Sequence, residues 1–135
     1  MKTSNFQFKN PELESLGFNI NENFSGEENI ALLINAKVEV KRSEGKTAYV
    51  SLSVLIGGAG PDQPFEINIK MSSEFFWIEE IDEDVLKVML NANAPAVLMS
   101  YIRPLVSTIT SDCKYPTVKI PFVDFTQIED VEYIE

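Results

Sequence analysis

Residues 30–41 read Ile30-Ala31-Leu32-Leu33-Ile34-Asn35-Ala36-Lys37-Val38-Glu39-Val40-Lys41. Leu32, Ile34, Ala36, Val38 and Val40 share one parity; Asn35, Lys37, Glu39 and Lys41 share the other, and Leu33 is the exception. A period of two means an extended strand with one buried and one wet face, the mark of an antiparallel sheet. The turn Ser43-Glu44-Gly45-Lys46 follows, and then Ala48, Val50, Leu52, Val54 and Ile56 repeat the alternation. Gly57-Gly58-Ala59-Gly60-Pro61-Asp62 breaks it, and Phe65, Ile67, Ile69 and Met71 resume it. Upstream, Leu16, Phe18 and Ile20 alternate with Gly17, Asn19 and Asn21. Four strands in sequence with short connections predict a meander, with a loop over 21–29.

After Ser72 the character changes. Phe75-Phe76-Trp77-Ile78 is too apolar for an ordinary loop and reads as an aromatic crossover from sheet to helix. Asp82 is placed to cap a helix carrying Val85, Leu86, Met89 and Leu90. Pro95 suits the first turn of a second helix, with Val97, Leu98, Tyr101, Ile102, Leu105, Val106 and Ile109 at helical spacing. Pro104 interrupts that pattern and predicts a kink. Pro116 and Pro121 favour an extended crossing segment, and the acidic tail from Phe125 suits a short helix. The fold class expected is α+β: a four-stranded antiparallel sheet, an aromatic crossover and two helices packing on the sheet. With no repeat and no linker, residues 1–135 read as one domain.

Bulk composition narrows the function. A net charge of −10, from 11 basic and 21 acidic residues, argues against nucleic acid and against an anionic membrane surface. No apolar run approaches the roughly 20 residues of a membrane span, and no signal core follows Met1. A single cysteine forms no internal disulfide. A cytoplasmic protein with no membrane insertion is expected.

The chemistry is sparse. With no histidine, the commonest general base and the His-containing zinc sites are gone. Cys113 stands beside Lys114 without an identifiable base and reads as a helix-end thiol. The glycines at 57, 58 and 60 precede a strand rather than a helix, so they suit a hairpin loop and not a phosphate cradle. Glu79, Glu80, Asp82, Glu83 and Asp84 lack the spacing of a calcium loop, and Glu129, Asp130, Glu132 and Glu135 suit a solvated tail. No enzyme, no cofactor and no metal are expected. What remains is apolar surplus at 75–78, which serves either as ordinary core or as a groove for apolar segments of another chain.

The stretch Asn93-Ala94-Pro95-Ala96-Val97-Leu98-Met99-Ser100-Tyr101-Ile102-Arg103, continued by Val106-Ser107 and Thr110, resembles the signature of the SecB family of export chaperones. Tyr115-Pro116, Pro121 and Phe125 match its aromatic-Pro and Pro-x-x-x-Phe run. The resemblance implies a homotetramer, a dimer of dimers, that holds unfolded polypeptide clients in apolar grooves and passes them to the SecA motor. It implies a groove lined by Leu32, Ile34, Phe75, Phe76, Trp77, Ile78, Phe122, Val123 and Phe125, and a structural Arg103. Family exporters present acidic residues on the exposed sheet face; here Ser15, Asn19 and Asn68 stand at those positions. A translocase-docking face at those residues is therefore expected to bind SecA weakly. The alternatives are protection of an antitoxin or another dedicated client, service to a mobile element, or a non-catalytic interaction scaffold.

Overall fold

The computed structural model describes residues 2–26 and 31–127, and the backbone of 131–134. Strands β1 (Phe6–Phe8), β2 (Glu12–Ile20), β3 (Ile34–Arg42), β4 (Thr47–Gly57) and β5 (Phe65–Trp77) precede a helical stretch. That stretch comprises α1 (Glu83–Val88), a π-helical turn (Met89–Asn93) and α2 (Ala94–Thr110). A 3₁₀ turn at Phe125–Gln127 and a last strand, β6 (Val131–Ile134), complete the order.

The alternation forms the expected strands, but their order is not a simple meander. Of the four expected strands, only β3, β4 and β5 pair with their neighbours in sequence. β2 pairs with the far side of β5, Phe18 opposite Ile67, and β1 continues along that side with Phe6 opposite Trp77. The chain leaving β2 must therefore cross the sheet to reach β3, which makes a Greek-key order. The structure also changes the tail: β6 pairs in parallel with β3, where a helix was expected. The predicted loop over 21–29 holds as far as residue 26, and the rest of it lies outside the described residues.

The predicted aromatic crossover is strand. Phe75, Phe76 and Trp77 belong to β5, with Phe75 and Phe76 opposite Ala48 and Thr47 of β4. The β4–β5 turn needs its glycine: Gly57 has φ +80°, and a Cβ there would lie 1.9 Å from the Phe65 carbonyl oxygen. Buried Gln63 holds the loop down. Its Nε2 donates to the Ala31 carbonyl at 3.1 Å, and its Oε1 accepts from the Leu33 amide at 3.1 Å.

The two predicted helices are one continuous helical stretch, Glu83–Thr110. A wide π turn just ahead of Pro95 lets the hydrogen-bond ladder re-register where the proline has no N–H to give. α-Helix continues through Pro104. Asp82 is the N-cap residue, but its side chain makes no capping bond. At 28 residues this stretch is long and apolar enough to span a bilayer by length and composition, which no single run of sequence suggested. Leu86, Leu90, Leu98, Met99, Ile102 and Val106 are instead buried, in one core with Val38, Val50, Leu52, Val54, Ile67 and Phe75 of the sheet.

Residues 111–124 then run back across α2, held by side chains of the helix. Thr110 Oγ1 accepts the Val118 amide at 2.9 Å, and Ser107 Oγ donates to the Val118 carbonyl at 3.2 Å. Arg103 donates to the carbonyls of Ile120 (3.2 Å) and Pro121 (2.9 Å). Arg103 therefore holds the crossing segment in place through two backbone carbonyls, the structural role expected of it.

Candidate client-binding surface

The sheet has two unlike faces. On the inner face lie the core residues of β3, β4 and β5, together with Phe6, Phe8, Leu13, Leu16, Phe18 and Ile20, by register. The helical stretch packs on β4 and β5, and the β2 row is only partly covered, with Phe18 packed against the core. Leu13 is 46% exposed and Leu16 44%, although both stand in the same row as residues with almost no exposure. Tyr101 on α2 faces this side, because its ring meets Phe8 edge-on at 6.3 Å. Leu105, one helical turn on, is half-buried against the core. The exposed apolar side chains of the β2 row thus stand on the same face of the sheet as α2 and Tyr101. Leu13, Leu16 and Ile20 were not among the residues expected from the sequence. A bulge between Leu13 and Ser15 shifts the alternation, so Leu13 and Leu16 stand three apart and do not read as one row.

The residues expected to line a groove fall into separate places. Phe75 and Trp77 are core; Phe6 stacks on both, at 5.6 and 6.2 Å between ring centroids. Phe76 points to the opposite face of β5 and is half-buried. Ile78 is 77% exposed, just past the end of the strand, where Asn5 Oδ1 accepts its amide at 2.9 Å. Leu32 and Ile34 are half-buried at the other end of the sheet. Ile34 pairs with Ile56, which pairs with Ile67, so Trp77 lies about 33 Å farther along at about 3.3 Å per residue. Phe125 is buried and Val123 half-buried. Phe122 is 98% exposed, with the Arg103 guanidinium 5.4 Å from its ring centroid. The nine residues do not form one patch, and only Ile78 and Phe122 stand in solvent.

The outer face is polar. A shallow trough of about 300 Å³ is lined by Ser15, Asn35, Lys37, Ser53, Asn68 and Lys70 among others. Ser15 pairs with Lys70, Gly17 with Asn68 and Asn19 with Glu66, so the three positions expected to form a docking face fall along one β2–β5 seam. All three are exposed. Two of the nearby carboxylates have basic partners: Lys70 lies 3.5 Å from Glu14 and 3.9 Å from Glu39, and Lys37 lies 3.9 Å from Glu39, whereas Glu66 accepts from Asn68 Nδ2 at 3.1 Å. Among the described residues no group of three or more His, Cys, Asp or Glu is placed to share a metal ion.

The sequence matches the family described as Preprotein translocase subunit SecB over residues 3–131. The chain belongs to the SecB family. Relatives include an uncharacterized protein of Methanocaldococcus jannaschii, 25% identical over 134 residues, covering 93% of this chain and 86% of the relative. The protein-export protein SecB of Anaplasma marginale is 29% identical over 97 residues, 67% of this chain. The match spans about half of that relative, 55% of its length. A solved SecB-like chaperone of Mycobacterium tuberculosis, bound to a peptide from the HigA1 antitoxin, superposes with a TM-score of 0.64. It is 13% identical, over 88% of this chain and 91% of that one, a likeness of fold. The SecB family is a family of chaperones, and the α+β fold with its antiparallel sheet agrees with that membership.

Proposed function

We propose that this protein is a holdase: a cytoplasmic homotetramer, built as a dimer of dimers, that keeps unfolded polypeptides from aggregating and carries out no catalysis. The observation that carries this reading is the apolar row Leu13, Leu16 and Ile20, left uncovered beside α2 in a SecB-family fold. A groove that buries about 300 Å² of client apolar surface contributes about 7 kcal/mol before the cost of ordering the client. Folded proteins hide such surface, so unfolded chains are selected without a sequence code. The edge of β2 adds backbone groups that pair either with a client or with a second copy of the chain. Charge supports the same role, since a net −10 keeps a loaded complex soluble.

In this reading the client surface centres on Leu13, Leu16, Ile20 and Tyr101. Ile78 and Phe122 serve as outlying contacts, and the buried Phe75 and Trp77 support the surface from beneath, while Phe125 lies beside the π turn. The clients are unfolded polypeptides and not nucleic acid, and the helical stretch 83–110 stays on the sheet and enters no membrane. The test is suppression of aggregation of a chemically denatured client by the purified protein, read by light scattering. Wild type should suppress aggregation at near-stoichiometric ratios, and Leu13→Ser with Leu16→Ser should require several-fold more protein. Equal activity of the two proteins would remove the groove; no activity in either would remove the holdase.

A second reading is a dedicated client, such as an antitoxin. It is supported by the fold likeness to the Mycobacterium tuberculosis chaperone and by the paired, non-acidic outer face. Crosslinking in cells separates the two: one enriched partner favours the dedicated client, many favour general holding, and one folded partner favours a scaffold.

A further inference from the structure

We propose that β6 is a built-in guard of the β3 edge, displaced when an extended segment of client pairs there. This rests on the holdase reading and concerns how its surface is regulated.

β3 is the outermost strand of the antiparallel part of the sheet. Its inner neighbour is β4, paired from Ile34 to Arg42. On its outer side β6 pairs in parallel, Val38 with Val131, Glu39 with Glu132, Val40 with Tyr133 and Lys41 with Ile134. Bare, this edge would be a nine-residue template for strand addition, with the fully buried Val38 and Val40 in its row. β6 covers only the second half of it. Among the described residues no strand pairs with Ile34, Asn35 or Ala36 on that side.

This arrangement suits displacement. A four-residue parallel pairing is short, and parallel ladders are slightly weaker per residue than antiparallel ones. A client can begin to pair at Ile34–Ala36, where half-buried Ile34 and Ala36 and the exposed Leu33 offer apolar contact. It then extends toward Lys41 as β6 leaves. The exchange replaces one set of backbone hydrogen bonds with another, so no buried donor stays unpaired. Tethering gives β6 a high local concentration, so weakly paired segments are rejected and only extended chains with free backbone compete. A guard that is closed nine times in ten weakens the apparent affinity about tenfold.

The test uses the full chain carrying Glu132→Pro and Tyr133→Pro, which blocks both hydrogen-bonding parities of β6. Hydrogen exchange should show lost protection at the Val38–Lys41 amides that point away from β4, with the rest of the sheet unchanged. Affinity for reduced, alkylated α-lactalbumin should rise about tenfold. A second variant, Lys41→Cys with Ile134→Cys in a Cys113→Ser background, locks the paired register when oxidised. It should bind the client several-fold more weakly and recover on reduction. Unchanged exchange in the proline variant, or unchanged affinity in both variants, overturns the proposal. If wild type and proline variant alike bind no client, the holdase reading fails and client displacement with it; exchange still reports separately whether β6 covers the edge.

Discussion

Tyr101 of α2 meets Phe8 of β1 edge-on, 6.3 Å between ring centroids, which ties the helix that packs on β4 and β5 to the strand on the far side of β5. Phe8 in turn packs on Phe75 at 5.9 Å, so the contact is anchored in the core. Tyr101 is itself partly exposed, and it would form the helix-side wall of the proposed groove. Tyr101→Ala should lower stability by only about 1 kcal/mol, because the ring is far from fully buried and an aromatic pair is worth about 0.5–1.5 kcal/mol. It should weaken client binding several-fold in fluorescence titrations. A variant with wild-type affinity and a wild-type melting curve would show that this wall touches no client.

Trp77 behaves differently from its neighbour Ile78. Trp77 is 5% exposed and stacked on Phe6, whereas Ile78 lies past the strand end in solvent. Trp77→Ala should cost about 3–5 kcal/mol, measured by urea unfolding. Ile78→Ala should stay within about 0.5 kcal/mol. A Trp77→Ala protein that unfolds like wild type would place the ring outside the core.

The strands were legible because a period of two survives even when the pairing order is hidden: Val38, Val50, Leu52 and Ile67 are core as their alternation says. The pairing order was not legible. Nothing in Leu16-Gly17-Phe18 tells whether its partner is β3 or β5, since both offer the same apolar row. β1 is three residues long, too short for any period to register. The residues at 75–78 misled because four large apolar side chains in a row read as surplus. Two-sided packing explains Phe75 and Phe76: β1 and the helix layer take one face, while Phe76 is half-covered on the other. The groove residues were hidden for a related reason. Leu16 is apolar in the strand pattern whether or not a helix covers it, and the helix footprint is a tertiary fact.

Gly57 closes the β4–β5 hairpin in the left-handed region, with no room for a Cβ against the Phe65 carbonyl. Gly57→Ala should therefore lose more than the usual glycine-to-alanine difference, about 2–3 kcal/mol from strain and displacement of the β5 start. Gly45 is also at positive φ, but a Cβ there would meet nothing within 4 Å, so Gly45→Ala should cost only about 1 kcal/mol. Thermal melts of the two variants side by side check this: equal losses would mean that the Phe65 backbone yields freely.

Lys70 bridges toward Glu14 and Glu39 on the outer face, beside Asn68 and Ser15. Exposed pairs of this kind add little to stability, but they cancel the field that a basic partner would follow. A translocase motor seeking an acidic face would meet a seam on which Glu14 and Glu39 are already paired with lysines. Calorimetry with SecA should therefore give weak or undetectable binding to wild type. Lys70→Glu with Asn68→Glu frees Glu14, leaves Glu39 with Lys37 and adds two more carboxylates, so binding should strengthen at low salt and fade as salt rises. Tight, salt-sensitive binding by the unmodified protein would mean that the motor reads a different surface, and the Ser15–Asn19–Asn68 seam would lose its assignment.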